Sequence, residues 1–266
     1  MTTTTSLGPV GFATGPDPAD AAALEDAGAR TLWLGGGSID RLDRLTELLD
    51  GTREAAVVPG IVPTGVHPAE GVTALHADAA RRHPGRFLLG LGAPQQPRAL
   101  AALGSYVDAL DAADPPVPSH ERILAALGPR KLALARDRFA GAVTLLVTPE
   151  HTAGARAVLG PDRLLAVMLP VVLGADLAPV RELAGFLLQV PGYRANTRRL
   201  GFTDAEMDAP DDRLAGAISA SGTPDDIADR VAEHRAAGAD HVVLSPAGDP
   251  SGGLDTVRAL AGSVPS

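Results

Sequence analysis

The sequence predicts an α/β protein built as a parallel (β/α)8 barrel, and three observations predict it. Short apolar runs without polar alternation recur along the chain, and such runs read as strands buried on both faces. Between them one helix unit repeats, opened by a capping residue and a proline and closed by glycine. The length of 266 residues suits one such barrel, which typically needs about 250.

The units run in order. Asp17-Pro18 opens a helix that stops at Gly28, and Thr31-Leu32-Trp33-Leu34 follows. His67-Pro68 opens one that stops at Pro84-Gly85, and Phe87 to Leu91 follows. Thr148-Pro149 opens one that ends at Gly160, before Leu164 to Leu169. Thr223-Pro224 opens one that ends at Gly238, before His241 to Leu244. Proline suits the first helical position, where its missing N–H has no partner. Asp or Thr before it caps free amides, and glycine past the end takes the left-handed conformation cheaply. Glu25-Asp26-Ala27-Gly28-Ala29 and Arg235-Ala236-Ala237-Gly238-Ala239 are two copies of one helix-to-strand turn.

Eight strands result: Val10–Ala13, Thr31–Leu34, Ala55–Ile61, Phe87–Leu91, Ile123–Leu127, Ala142–Leu146, Leu164–Leu169 and His241–Leu244. Ile123–Leu127 reads equally as a helix start. Strands alternating with helices imply a parallel sheet, and eight units in one domain, 1–266, imply closure. Gly174 to Gly222 is too long for one helix, so two are expected there, joined around Pro191-Gly192. A doubly wound sheet is disfavoured, because Thr14-Gly15-Pro16-Asp17 is no G-x-G-x-x-G. The fourth strand ends in Gly90-Leu91-Gly92, where backbone must pass close to something.

Composition removes several classes of function. With no cysteine, disulfides, thiolate nucleophiles and iron–sulfur clusters are excluded. A net charge of −9 without a long basic cluster argues against a nucleic-acid surface. Lys131 is the one lysine. No apolar run reaches the roughly 20 residues of a membrane helix, and Met1–Ser6 lacks the regions of a signal peptide. The expectation is a soluble, cytoplasmic protein with a small-molecule substrate.

Barrels of this kind place chemistry at the C-terminal ends of the strands. Those ends offer Thr14, Gly35-Gly36-Gly37-Ser38, Thr64, Gly92, Thr144, Met168 and Ser245, with His67, Gln95, Gln96, Asp249 and Ser251 in the loops beyond. Ser251-Gly252-Gly253 opens the last helix, where free amides could take a phosphate; a plain helix start capped by Ser251 is the simpler reading. His67 is the best placed general acid or base, although its position just before a helix explains it as well. His76, His83 and His234 read as solvated helix residues, and His241 starts a strand, at the wrong end for chemistry. No carboxylate pair and no metal-ligand spacing of histidines occurs at the strand ends. Such an apolar mouth suits an enzyme whose reactivity belongs to a bound cofactor, or one that shapes an apolar substrate.

His83-Pro84-Gly85-Arg86-Phe87-Leu88-Leu89-Gly90-Leu91-Gly92 resembles the fourth-strand motif of the bacterial luciferase-like monooxygenase superfamily. Ala125-Ala126-Leu127-Gly128-Pro129, Leu146 to Thr152 and Tyr193 to Phe202 are similar to an actinobacterial branch of probable coenzyme F-420-dependent oxidoreductases. The similarity runs from about Leu7 to Leu244. It implies a TIM barrel that binds F-420 or FMN, and it allows a homodimer. The chain also departs from the pattern. The loop after Gly92 is shortened to Ala93-Pro94-Gln95-Gln96-Pro97, and Ala142-Val143-Thr144-Leu145 and Ala166-Val167-Met168-Leu169 stand where relatives carry polar groups. Pro63-Thr64 replaces an Asn-Trp-type pair. The mouth is remodelled toward apolar.

Two readings follow from the resemblance and its departures. The first is an oxidoreductase or monooxygenase with F-420 or FMN across the strand ends. Its ring would lie over Gly92 and Thr144, its phosphate near Ser251-Gly252-Gly253 or Arg194 and Arg198. Thr14, Met168 and Gln95 would line the substrate pocket. The second is a cofactor-free isomerase, lyase or cyclase of secondary metabolism on the same barrel, with Thr64, His67, Thr144 or Ser245 supplying hydrogen bonds. A non-catalytic binding partner is the third possibility.

Overall fold

The computed structural model describes residues 5–93 and 98–264. Ten strands form one sheet: β1 (Val10–Thr14), β2 (Thr31–Leu34), β3 (Ala56–Pro59), β4 (Val62–Pro63), β5 (Leu89–Gly92), β6 (Arg122–Ala125), β7 (Gly141–Leu145), β8 (Leu164–Leu173), β9 (Ala220–Gly222) and β10 (His241–Pro246). Their order is β3-β2-β1-β10-β8-β7-β6-β5-β4, with β9 added beside β8, and the pairings between these strands are parallel. A parallel bridge between Val57 of β3 and Phe87, just before β5, brings the β3 end of this order against β5. The result is the barrel that the strand pattern predicts.

The helices are α1 (Pro18–Asp26), α2 (Asp43–Gly51), α3 (Ala69–Arg82), α4 (Ala99–Asp111), α5 (Pro129–Arg138), α6 (Pro149–Leu159), α7 (Ala178–Leu187), α8 (Pro191–Arg199), α9 (Asp204–Asp208), α10 (Asp212–Ala217), α11 (Pro224–Ala236) and α12 (Leu254–Leu260). The caps expected at Asp17, Thr148 and Thr223 are present: each side chain accepts an amide of the first turn. His67 does not cap α3, because Pro68 takes the N-cap position and no side chain bonds the first turn.

Two layers of core hold the barrel together. The outer layer packs strands against helices, with Leu32, Val57, Leu89, Leu124, Val167 and Val242 facing Leu24, Leu48, Val72, Leu103 and Ile227. The barrel interior is filled by Leu7, Trp33, Val58, Leu88, Ile123, Val143, Ala166 and Val243. Trp33 is fully buried there, and its Nε1–H donates to His241 Nε2 over 3.0 Å. That bond leaves His241 Nδ1–H to donate to the Gly8 carbonyl at 2.8 Å.

Three expectations change. The run Ala55–Ile61 is not one strand: it breaks at Gly60-Ile61 and resumes as β4, as Gly60 N–H turns to the Leu34 carbonyl at 2.6 Å. β8 continues through Pro170 to Leu173, because its far half gains β9 as a partner. The stretch from Gly174 to Gly222 holds four helices, α7 to α10, instead of two. They are short because Gly201 at positive φ and the capping residues Thr203 and Asp211 restart the chain twice. Together they bury a core of their own, in which Val180, Leu188, Phe202, Met207 and Leu214 pack on Leu146 and Val172.

The close approach at Gly90-Leu91-Gly92 is to the chain itself. A Cβ at Gly90 would lie 2.1 Å from the Pro59 carbonyl oxygen, and one at Gly92 would lie 2.2 Å from Ile61 Cδ1. These glycines let β5 close against β3 and the Gly60-Ile61 break.

Candidate functional site

A cavity of about 500 Å³ opens at the C-terminal ends of β5, β6, β7 and β8. Its deep part is apolar, formed by Gly60, Ile61, Gly92, Ala93, Val143, Leu145 and Met168, with Thr144 as the one hydroxyl. Its outer part is formed by the start of α5 (Gly128, Pro129, Arg130, Lys131) and by α8 (Tyr193, Ala195, Arg199). The α7–α10 excursion therefore supplies one wall of the mouth.

The outer part is cationic. Arg130, Lys131 and Arg199 line it, and no Asp or Glu does. Arg199 donates to Asn196 Oδ1 at 2.9 Å, and its guanidinium stands over Gly128, where a Cβ would meet it at 3.4 Å. Gly128 is the N-cap of α5 and no side chain caps that helix; Pro129 has no N–H and the Lys131 amide bonds the Gly128 carbonyl at 3.1 Å, so what faces this region is chiefly the positive end of the helix dipole. Burial pushes the Lys131 amine down from its ordinary pKa and the Tyr193 hydroxyl up, since both charged forms lose water.

Beyond Arg199 lies a second cavity of about 560 Å³ that shares Leu127, Pro129 and Arg199 with the first. His151 faces it from α6; its Nε2–H donates to the Leu127 carbonyl at 3.0 Å. Burial lowers its pKa, against the raising effect of that bond.

Of the residues expected from sequence, Gly92, Thr144 and Met168 meet in the first cavity. Gln95 lies outside the described residues. Thr64 binds the Gly92 carbonyl through both its amide and its hydroxyl, at 3.0 and 2.9 Å, and ties β4 to β5. His67 is buried, donates from Nε2 to the Ile39 carbonyl at 3.2 Å, and accepts the Tyr106 hydroxyl on its own carbonyl. Neither residue lines the cavity, and both serve the packing of the β4–α3 connection. Thr14 is buried and donates to the Gly15 carbonyl, and Ser245 pairs in register with Pro170; they too lie outside the lining.

The phosphate positions expected from sequence are already filled. Asp249 accepts from the amide and hydroxyl of Ser251 at 2.8 and 2.5 Å, and from the amide and hydroxyl of Thr256 at 3.1 and 2.7 Å. Burial alone would raise the Asp249 pKa, but these four donors outweigh it and hold the carboxyl ionised. A carboxylate thus occupies the place offered to a phosphate at Ser251-Gly252-Gly253. Arg194 pairs with Asp208 at 2.7 Å and Arg198 with Asp204 at 2.6 Å, on the surface. The histidines expected to be solvated are mostly buried. His76 pairs with Glu121 at 2.8 Å, His234 Nδ1 sits 3.0 Å from Thr152 Oγ1, and His83 contacts Asp50 at 2.8 Å. Among the described residues, no cluster of potential metal ligands occurs and no helix is long and apolar enough to cross a membrane.

No protein-family model and no curated protein sequence matches the chain. Solved structures do. An F-420-dependent secondary alcohol dehydrogenase, solved with an F-420–acetone adduct, matches with a TM-score of 0.77 at 15% identity, over 98% of this chain and 100% of that one. The F-420-dependent tetrahydromethanopterin reductase of Methanopyrus kandleri matches with 0.71 at 15% identity, over 98% of each chain. The oxygenating constituent of 3,6-diketocamphane monooxygenase from Pseudomonas putida, solved with FMN, matches with 0.66 at 12% identity, over 97% and 98%. The chain shares its fold with F-420- and FMN-dependent enzymes. At these identities the likeness is one of fold.

The cationic half of the mouth is what sequence reading missed. Arg130, Lys131 and Arg199 look in one dimension like ordinary helix-surface charges. For Arg130 and Lys131 the signal was the absence of any acidic residue in the first turn of α5, where most other helices of the chain carry one; Arg199, in the last turn of α8, gave none.

Proposed function

We propose that the protein is an oxidoreductase or monooxygenase of the luciferase-like kind that binds F-420 or FMN in the mouth cavity and acts on a small organic substrate. The observation that carries this reading is the division of that cavity: a cationic rim at a helix N-terminus and an apolar floor within one space of about 500 Å³. A ligand with a phosphate at one end and a flat, largely apolar ring system at the other is its complement, so the residues present fit the group. Arg130, Arg199 and the start of α5 would hold the phosphate. Ile61, Val143, Leu145 and Met168 would pack on the ring system and exclude water. The Thr144 hydroxyl would orient a polar edge. The cofactor, when bound, supplies the hydride or oxygen chemistry. The likeness in fold to enzymes solved with F-420 and FMN supports this reading.

Calorimetric titration with FMN and with F-420 tests it. Binding of either in the micromolar range is expected, and Arg199→Ala should weaken it about ten-fold, the loss of one charge-assisted contact of roughly 1.5 kcal/mol. If neither ligand binds, the reading is wrong.

One observation favours a second reading. Ile61 fills the space on the side-chain side of Gly92, and the deep part of the cavity offers no titratable group. A cofactor-free isomerase, lyase or cyclase that folds an apolar substrate over this floor uses the same mouth.

A further inference from the structure

Lys131 sits where an ammonium is least favoured. It is the third residue of α5, at the positive end of the helix dipole. Arg130 and Arg199 line the same cavity, and no carboxylate does. The helices α1, α2, α3, α6, α9, α10, α11 and α12 all place an acidic residue in the first turn. α5 instead carries two cations there, and one of them is the only lysine of the chain. Exposed cations on a solvated helix would need no explanation, but Lys131 is only partly accessible and faces a cavity with an apolar floor. Desolvation, which lowers the pKa of the Lys131 amine, is a condition that turns a lysine into a nucleophile at neutral pH.

We propose that Lys131 is an imine-forming nucleophile, whose free amine condenses with a small aldehyde or ketone bearing an anionic arm. Arg130 and Arg199 hold the carboxylate or phosphate arm, which brings the carbonyl carbon to the amine. The nitrogen lone pair attacks that carbon, a C–N bond forms, and the carbonyl π pair becomes a hydroxyl by taking up a proton. The nitrogen gives up its protons, and the hydroxyl leaves as water when the C=N bond forms. One amine and one carbonyl compound give one imine and one water, with no oxidant or reductant. Tyr193 and Thr144 line the same cavity, and of the two the Tyr193 hydroxyl is the group able to pass these protons, since the Thr144 hydroxyl donates to the Ala166 carbonyl at 3.4 Å. Burial keeps the Tyr193 hydroxyl protonated and lowers the cost of a neutral amine at Lys131. The anionic arm takes the place at Arg130 and Arg199 that a cofactor phosphate would otherwise hold, so the inference uses the mouth cavity without a bound cofactor.

The full chain is incubated at neutral pH with pyruvate and sodium cyanoborohydride, which reduces an imine to a stable amine. Intact mass and peptide mapping locate the product, and two kinds of site compete: the Lys131 amine and the chain's α-amine. An adduct on Lys131 is expected, forming several-fold faster in the folded chain than in urea, where burial no longer lowers the pKa of the amine. Lys131→Arg should lose that adduct while keeping the melting temperature of the parent. Acetone, which lacks the anionic arm, should react more slowly than pyruvate. An adduct confined to the α-amine overturns the proposal, and so does equal reactivity of Lys131 in the folded and unfolded chain. Equal rates with acetone and pyruvate overturn the role given to Arg130 and Arg199. FMN binding without a Lys131 adduct sinks this inference alone; a Lys131 adduct without binding of FMN or F-420 sinks the oxidoreductase reading alone.

Discussion

His241 and His234 show how single side chains set the conditions under which this barrel is stable. Both are fully buried, and burial pushes both down to a pKa of about 4, with the Gly8 carbonyl opposing it at His241. Their unfolded pKa is about 6.5, so between these values the unfolded chain binds more protons than the folded one. Stability is therefore full above pH 6.5 and falls as the pH drops toward 4, by up to roughly 3 kcal/mol per histidine. Urea unfolding at pH 7.5, 5.5 and 4.5 measures it; a midpoint unchanged across this range would refute the burial of these rings. The partner of His241 matters equally. Trp33→Phe removes the N–H that donates to His241 Nε2 and shrinks a buried ring, so an unpaired acceptor of about 1–3 kcal/mol and the cost of a cavity should add in the same assay.

Among the elements, β5 is constrained at both of its glycines. Its glycines are set by neighbours of different hardness. Gly90→Ala drives a Cβ into the Pro59 carbonyl of β3, and backbone held in a ladder cannot move aside, so a loss of about 3 kcal/mol is expected. Gly92→Ala first meets the Ile61 side chain; its smaller penalty should be relieved by Ile61→Ala in a double-mutant cycle. Additive penalties in that cycle would contradict the contact. Most elements were legible in the sequence, since Asp17-Pro18, Thr148-Pro149 and Thr223-Pro224 announce helices by local chemistry alone. The four helices between Gly174 and Gly222 were not. Their apolar residues fill a private core, and which short segments share a core is a tertiary fact that no window of sequence contains. The same holds for the last loop, where Asp249, seven residues from Thr256, takes the amides that an isolated Ser-Gly-Gly motif seemed to leave free.

For the molecule as a whole, charge is distributed against its average. The net charge is −9, yet the mouth gathers Arg130, Lys131 and Arg199 without an acidic neighbour in the lining. An acidic body repels anions at long range while the mouth attracts them at short range. FMN affinity should fall several-fold between low and high salt as the rim charges are screened, whereas uncharged riboflavin should show little change. Equal salt dependence of the two would remove the rim from the binding energy. Sequence reading placed the mouth at the strand ends and named Gly92, Thr144 and Met168 within it. It could not find the rim, because whether an arginine is spent on a surface pair, as Arg194 and Arg198 are, or left free, as Arg199 is toward the described carboxylates, depends on folded geometry.

The one tryptophan of the chain makes the barrel floor optically addressable. Trp33 is sealed in an apolar interior and bonded to an imidazole, so its emission should be blue-shifted in the folded state and move to the red only when the barrel opens. Protonation of His241 would add a local quencher to that signal. Because the mouth lining does not include Trp33, a colourless ligand at the mouth should leave the emission maximum in place. A flavin there should dim it by energy transfer without shifting it. Wavelength would then report the fold and intensity the occupancy of the mouth, from a single unlabelled chromophore.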